Sequence, residues 1–255
     1  MNYYLIFFLI ILFLFIGRVS FIFAIKRDSN AHNKIRKLLT LHNLYLLNPL
    51  VSKKTYTKYI LSLTLSVLAA LFFFVIINNL NIYNLANLTY FLHIVFLFIS
   101  ISLLLYLAIY DLLYYEIPVV PLFSFLTVVI TFNVIVAVVS VLTQDKIFLL
   151  GNPVNLLSGI GLGLIFYIVV KLTKEQGMGM GDVYLMLSIG LALGISRSIT
   201  AYLVTLMLAS IVGIVISLFK RKFHNTLIPL VPFIFLGFCV ALSTSDSILN
   251  LFRIF

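Results

Sequence analysis

The sequence predicts an all-α, polytopic helical membrane protein with about eight transmembrane helices in one bundle. Of its 255 residues, 63% are hydrophobic and only 9% are charged, whereas a soluble globular domain carries about 25% charged residues. Apolar runs of about 20 residues, the length that crosses the hydrocarbon core of a bilayer, recur along the chain. We predict membrane spans near residues 3–25, 59–77, 89–110, 118–142, 155–171, 182–196, 198–219 and 228–250.

The basic residues predict the orientation of the bundle, because cytoplasmic loops carry an excess of Lys and Arg. Thirteen of the 17 basic residues lie in or beside loops 26–58, 171–181 and 220–227, which eight alternating spans would place on one side. They are Lys26, Arg27, Lys34, Arg36, Lys37, Lys53, Lys54, Lys58, Lys171, Lys174, Lys220, Arg221 and Lys222. We therefore predict that this side faces the cytoplasm and that both termini lie outside.

Cysteine content and charge distribution exclude several classes of protein. The single cysteine, Cys239, leaves no disulfide framework and no CxxC zinc site, and the four histidines show no ligand spacing. The basic residues that give the net charge of +10 lie between apolar runs. They therefore indicate membrane topology, and we expect no nucleic-acid partner. The first apolar run lacks a basic leading segment and a small-residue cleavage site, so we predict a retained span rather than a signal peptide.

Two aspartates, Asp111 and Asp182, adjoin apolar runs where charge is costly. A charge near the centre of a bilayer costs roughly 2.5–3.5 kcal/mol on insertion scales, so membrane carboxylates are usually functional. The predicted spans end at residue 110 and begin at residue 182, which puts both aspartates on the cytoplasmic side. Two neighbouring carboxylates share a proton readily, which provides one general base and one general acid for peptide hydrolysis.

Three alternating glycines, Gly177, Gly179 and Gly181, precede Asp182. They would let an extended substrate backbone approach the carboxylate, and they permit positive φ angles in the loop. The alternative is a flexible loop in which Asp182 is only a helix N-cap. Asp111 has a similar alternative, as a charge that marks a helix end, and we expect Glu116 to be interfacial and solvated.

With these residues the chain resembles the type IV prepilin peptidases, intramembrane aspartyl proteases of the GxGD class. Gly179-Met180-Gly181-Asp182 is similar to the GxGD motif, and Asp111 followed by Ile117-Pro118 is similar to the first catalytic aspartate and its Ile-Pro. Ile228-Pro229-Leu230-Val231-Pro232-Phe233 is similar to the C-terminal Ile-Pro-x-x-Pro-Phe segment. The resemblance implies that Asp111 and Asp182 are catalytic, and that a set of motif residues supports them: Gly179, Gly181, Pro118, Pro229 and Pro232.

The resemblance also implies a domain organisation and a function. Residues 1–88 would form N-terminal spans with a basic cytoplasmic loop, a degenerate counterpart of the methyltransferase region. Residues 89–255 would form the GxGD peptidase domain. The implied protein is an integral inner-membrane enzyme that faces the cytoplasm and cleaves the leader from prepilin or pseudopilin precursors. Its partners are these substrates and membrane lipids.

Departures from the family pattern bear on the second family activity, methylation of the new N-terminus from S-adenosylmethionine. Bacterial members often carry two zinc-binding CxxC pairs in the first cytoplasmic loop, and this chain has none, so we expect no zinc. Val119 replaces the usual Asn and Tyr184 the usual Lys. Whether the protein uses S-adenosylmethionine as a cofactor therefore stays open, and proteolysis itself requires no cofactor. Within loop 26–58, we predict an amphipathic helix over Leu38–Leu50 on the inner membrane face.

Three other functions remain open at this stage. A preflagellin-type peptidase of the same class would lack the methylase. A proton-coupled transporter could use the two aspartates as a relay, but it would be expected to show inverted repeats and ionisable groups near the membrane midplane. A non-catalytic scaffold would not need both aspartates intact.

Overall fold

A computed structural model describes residues 3–26, 53–79, 88–143, 153–173, 179–220 and 228–243, and all regular structure in these ranges is helical. The described helices are α1 (Tyr3–Lys26), α2 (Lys53–Asn79), α3 (Leu88–Tyr114), α4 (Val119–Thr143), α5 (Pro153–Leu172), α6 (Met180–Leu193), α7 (Ile195–Lys220) and α8 (Val231–Ser243). This confirms the all-α fold class. The predicted amphipathic helix over Leu38–Leu50 lies outside the described residues.

Four of these helices are long and apolar enough to cross a membrane, judged by length and composition over the described residues. The qualifying segments are Thr57–Ile77, Phe91–Tyr114, Val119–Val139 and Ile195–Ile216. The segments Phe8–Ala24, Gly159–Leu172, Met180–Leu193 and Val231–Ser243 are apolar but shorter. The 14 residues of α6 extend about 21 Å, less than the roughly 30 Å of a bilayer core. Helix α6 is therefore shorter than the thickness of a bilayer core.

Several predicted boundaries were wrong by a few residues. Helix α3 continues to Tyr114, so Asp111 lies in its last turn instead of at the start of a loop. The break between the sixth and seventh helices falls at Gly194, whose φ is 75°, because glycine adopts this left-handed conformation without steric cost. Helix α8 begins at Val231, against a predicted start at residue 228, and residues 244–250 of the predicted span lie outside the described residues.

Helix α3 lies at the centre of the bundle, in contact with α1, α2, α4 and α8. It is apolar on all sides, as expected of a helix surrounded by other helices. Its fully buried side chains include Ile101, Leu104, Leu105, Leu107, Ala108 and Ile109. Asp111 follows directly on this segment, so its carboxylate is placed at the inner end of the core.

Helices α5 and α7 lie at the periphery, with α5 packed on α6 and α7 packed on α8. Their outward faces carry exposed aliphatic side chains, such as Leu164 and Ile168 on α5 and Leu206 and Ile214 on α7. Exposed apolar faces of this kind are suited to contact with lipid rather than water.

One end of the bundle, here called the aspartate end, brings together the ends of six helices. The C-terminal ends of α1 and α3 meet the N-terminal ends of α2, α4, α6 and α8 there. The contacts that define it are Lys58 with Leu113, Tyr114 with Ala24, Val231 with Asp111, and Gly181 with Ile117. Asp111 and Asp182 thus lie at the same end of the bundle. Which membrane face this end occupies stays a prediction.

Candidate active site

Asp111 is a buried carboxylate, 5% exposed, in the last turn of α3. Its backbone carbonyl accepts a hydrogen bond of 2.8 Å from the amide of Tyr115, which closes that turn. Its side-chain Oδ2 accepts a hydrogen bond of 2.9 Å from the backbone amide of Val231. A buried carboxylate needs such donors, because an unpartnered charge in a low-dielectric interior is expensive.

The donor amide belongs to the first turn of α8, where helix geometry leaves N–H groups without intrahelical partners. The carbonyl of Leu230 accepts the first helical bonds, from Phe233 and Ile234, both at 3.1 Å. Val231 is therefore the first residue of the helix, and its free N–H points to Asp111. Pro232 follows in the buried first turn, where a missing N–H costs nothing. Pro229, the other proline of the motif, lies just before the cap residue.

Asp182 lies at the N-terminus of α6 and is held by its own turn. The amide of Gly179 donates a 3.2 Å hydrogen bond to Asp182 Oδ2, and the amide of Asp182 donates a 3.2 Å hydrogen bond to the Gly179 carbonyl. Gly179 is the N-cap and Asp182 the third helical residue. The alternative that Asp182 is itself the N-cap is therefore wrong. Its carboxylate instead reaches back to the cap amide, as the acidic residue of a capping box does.

The two described glycines of the motif, Gly179 and Gly181, differ in why the structure has no side chain at their positions. Gly179 has φ −83° and ψ 162°, so it does not use the positive φ angle that glycine permits. A Cβ on Gly181 would lie 3.2 Å from the Cβ of Ile117, a very tight contact. The missing side chain at 181 thus makes room for the segment between α3 and α4. Gly177 lies outside the described residues.

The contact between Gly181 and Ile117 joins the two aspartate-bearing segments. Ile117 follows Asp111 by six residues, and Gly181 directly precedes Asp182. Pro118 is buried and its carbonyl accepts a 3.2 Å hydrogen bond from the amide of Leu122. It therefore lies immediately before α4, at the position whose carbonyl accepts the first helical hydrogen bond. The Ile-Pro pair thus starts α4 while it packs against the start of α6.

Helix α6 is also held at its other end. The side-chain amide of Asn133 on α4 donates a 3.1 Å hydrogen bond to the carbonyl of Leu191, near the C-terminus of α6. This satisfies a carbonyl that the helix end leaves unpaired. The short helix that carries Asp182 is therefore fixed at both ends, by Ile117 and by Asn133.

The two aspartates are brought to the same end of the bundle, the aspartate end, by the contact between Gly181 and Ile117. Each carboxylate also lies at the N-terminus of a helix, α8 for Asp111 and α6 for Asp182. The positive ends of two helix dipoles therefore converge on the pair. A pair of carboxyl groups held by backbone donors in a partly buried site can take up and release one proton between them.

Glu116, and the two residues that differ from the family pattern, Val119 and Tyr184, are not part of this arrangement. Glu116 is exposed, in accord with the interfacial role expected of it. Val119 is 61% exposed and Tyr184 is 39% exposed, with its ring 5.8 Å from that of Phe123. Within the part of the chain that the structure describes, no three His, Cys, Asp or Glu side chains are grouped to hold a metal ion.

Sequence reasoning missed three groups that build the site. The Val231 amide is a backbone donor, which no residue type reveals. Lys58 entered only as one of many topogenic charges, although its ammonium reaches the carbonyl of Leu113 at 2.6 Å. Asn133 gave a detectable signal, since an amide side chain in an apolar span requires a polar partner.

The comparison with known proteins agrees with this geometry. Residues 98–218 match the model of the type IV leader peptidase family, and this range includes both aspartates and the GxGD motif. No curated protein and no solved structure matches the chain. Helices α1, α2 and α8 lie outside the matched range, although the Val231 amide of α8 donates a hydrogen bond to Asp111. Over residues 98–218, the chain is therefore similar to the type IV leader peptidase family, the family that its motifs resemble.

Proposed function

We propose that this protein is a membrane aspartyl endopeptidase that removes the leader peptide from type IV prepilin-like precursors at the cytoplasmic membrane face. Asp111 and Asp182 are its catalytic pair. The observation that carries this proposal is the convergence of two carboxylates from different helices at one end of the bundle, each held by a backbone amide.

The proposed reaction is hydrolysis by a base and an acid around one water molecule. The ionised carboxylate removes a proton from the water as its oxygen attacks the scissile carbonyl carbon. The protonated carboxyl group donates its proton to the carbonyl oxygen, which gives a tetrahedral diol. The carbon–nitrogen bond then breaks as the leaving amine takes a proton from one carboxyl group. A diol hydroxyl gives its proton to the other carboxylate, which yields the carboxylic acid product and restores one proton on the pair. The shared proton belongs to the pair of carboxyl groups rather than to one of them.

The location of the pair supports this substrate class. Both carboxylates lie at the ends of helices, where a membrane-embedded enzyme meets the interface. The precursors of this family carry a charged leader followed by an apolar helix, so their scissile bond would lie at that depth.

The same location argues against the proton-coupled transporter. A carrier relay needs ionisable groups near the membrane midplane. Here the two aspartates share one end of the bundle, and they come from a segment that matches a peptidase family. A preflagellin-type substrate requires the same chemistry, and only a substrate comparison distinguishes it.

The direct test is cleavage of a candidate prepilin by the purified full chain, followed by N-terminal sequencing of the product. The wild type should release the leader at one bond, and the double variant D111N/D182N should release none. A preflagellin offered in parallel separates the two substrate types. Cleavage by the double variant at the wild-type rate would exclude the aspartyl mechanism.

The same reaction mixture tests the second family activity. Labelled S-adenosylmethionine is added with the prepilin, and label on the cleaved product would show a bifunctional enzyme. Cleavage without label would show a peptidase alone. Because cleavage itself needs no cofactor in this mechanism, its rate should not depend on S-adenosylmethionine.

A further inference from the structure

Lys58, on α2, reaches the C-terminal end of α3. Its Nζ donates a 2.6 Å hydrogen bond to the backbone carbonyl of Leu113. The last four carbonyls of a helix have no intrahelical partner, and a positive charge there interacts favourably with the helix dipole. Lys58 therefore caps α3 from a neighbouring helix. The carbonyl that it binds belongs to Leu113, two residues after Asp111.

Tyr115, the residue that directly follows α3, adopts an unusual backbone conformation with φ 61°. A side chain makes this left-handed region unfavourable, and helices that end in this way usually have glycine at the position. The Tyr115 amide donates a 2.8 Å hydrogen bond to the Asp111 carbonyl. Its ring centroid lies 5.1 Å from Lys58 Nζ, within the range of a cation–π interaction.

One ammonium group thus holds two parts of the turn that carries Asp111. It binds the carbonyl of Leu113 and it faces the ring of Tyr115, and the Tyr115 amide closes the turn on Asp111 itself. Ile117 follows two residues later and packs against Gly181. This turn therefore contains Asp111 and leads directly into the residue that packs against the segment of Asp182.

We propose that Lys58 is a positioning residue for the proposed peptidase reaction, which acts by fixing the last turn of α3 and hence the direction of the Asp111 carboxylate. This inference rests on the proposed function for its activity readout. Lys58 lies outside residues 98–218, the range that matches the leader peptidase family. Helix α2 then contributes to the site through one side chain, in addition to its apolar packing.

The test replaces Lys58 in the full-length protein by Met, which keeps the aliphatic length, and by Arg, which keeps the charge and the donors. With a prepilin substrate, K58M should lower kcat about tenfold with little change in KM, because misplacement of a reacting group slows the chemical step. K58R should recover most of the activity. Tyr115→Leu, which removes the ring and keeps the other contact, should fall between K58M and the wild type.

Lys171 provides a matched control within the same chain. It lies in the last turn of α5, and its Nζ is 5.5 Å from the ring centroid of Tyr167, so it also makes a cation–π contact. It caps neither aspartate-bearing segment. K171M should leave kcat within about twofold of the wild type, since exposed cation–π contacts contribute little.

A second measurement does not depend on activity. Hydrogen exchange of the backbone amides of residues 112–117 should be faster in K58M than in the wild type and unchanged in K171M. Equal exchange in K58M and the wild type would overturn the inference. So would a kcat for K58M within twofold of the wild type, or equal losses in K58M and K58R.

These outcomes separate the two proposals. A wild-type protein that cleaves no prepilin would contradict the proposed function, while the exchange measurement would still test Lys58. Active wild type with unchanged exchange in K58M would leave the peptidase assignment intact and would refute the positioning role. A K58M protein too unstable to purify leaves Tyr115→Leu as the variant that decides.

Discussion

The Asp111 carboxylate accepts its hydrogen bond from an amide 120 residues further along the chain, whereas Asp182 accepts one from an amide three residues before it. The first bond is buried and 2.9 Å long, and the second is exposed and 3.2 Å long. Asp111 is thus held by tertiary packing of α8 on α3, and Asp182 by the local geometry of one helical turn.

This difference separates what each half of the site depends on. The orientation of Asp182 needs only that α6 begins at Met180. The orientation of Asp111 needs α8 to be docked with its first residue opposite the end of α3. A change in bundle packing should therefore disturb Asp111 first, and a change in the glycine motif should disturb the approach of α6 to Ile117.

The largest expected effect comes from the carboxylates themselves. Asp111→Asn and Asp182→Asn should each lower cleavage by about 100-fold or more, because each removes either the acid or the base. Prepilin cleavage by the purified variants measures this effect, with protein yield in the membrane as the check on insertion. Glu116→Gln is the matched control and should keep most of its activity. Retention of more than a tenth of wild-type cleavage by either Asn variant would contradict the pairing.

Two proline substitutions compare the two hydrogen bonds directly. Val231→Pro removes the amide that Asp111 accepts, at the first helical position, where proline is favoured. Gly179→Pro removes the amide that Asp182 accepts, at a φ of −83° that proline tolerates. A hydrogen bond to a charged group contributes about 1.5–3 kcal/mol, so V231P should lower kcat about tenfold or more. The exposed local bond lost in G179P should cost only about twofold to threefold.

The controls for this comparison are V231A and G179A, which keep the amides. A Cβ at Gly179 would lie 3.9 Å from Asp182 Oδ2, an ordinary contact, so G179A should behave like the wild type. V231A measures the loss of a buried side chain alone. If G179P were the more damaging of the two proline variants, Asp182 and not Asp111 would depend more on its backbone donor.

A smaller effect should follow from closing the gap between α6 and Ile117. Gly181→Ala places a Cβ 3.2 Å from the Ile117 Cβ and 3.3 Å from its Cδ1. The two segments must then shift by a few tenths of an ångström, which should lower kcat about fivefold. Ile117→Ala in the same chain should restore part of the loss. Gly161→Ala is the matched control, because a Cβ there meets no atom within 4 Å. Equal activity of G181A and G161A would show that this contact is not critical.

The smallest expected effect is that of metal removal. The reaction proposed for the two aspartates needs only water and their carboxyl groups, and the chain has no cysteine pairs to bind structural zinc. Treatment with a chelator should therefore leave cleavage unchanged, as followed by the prepilin gel shift before and after dialysis. Stoichiometric zinc in the purified protein, measured by atomic emission, would contradict the prediction that the protein binds no structural zinc.

The sequence predicted the helical class, both aspartates and their common end of the bundle, because these follow from apolar run length, charge and the alternation of spans. It located helix ends less well, since Leu112-Leu113-Tyr114 continues α3 with no glycine or proline to end it. The left-handed turn at Tyr115 occurs without a glycine, and the ring there contacts Lys58 of another helix. The roles of Val231 and Gly181 depend on what lies opposite them, and no local pattern reveals that.

The dependence of Asp111 on Val231 has a consequence for biosynthesis. Helices emerge from the ribosome in chain order, so α3 is available in the membrane long before α8 is made. Until residue 231 has been translated and α8 has packed, the Asp111 carboxyl group has no Val231 amide to accept. The proposed site is therefore complete only after α8 has been synthesised and has packed, and a nascent chain that stalls before α8 would hold both aspartates without a completed site.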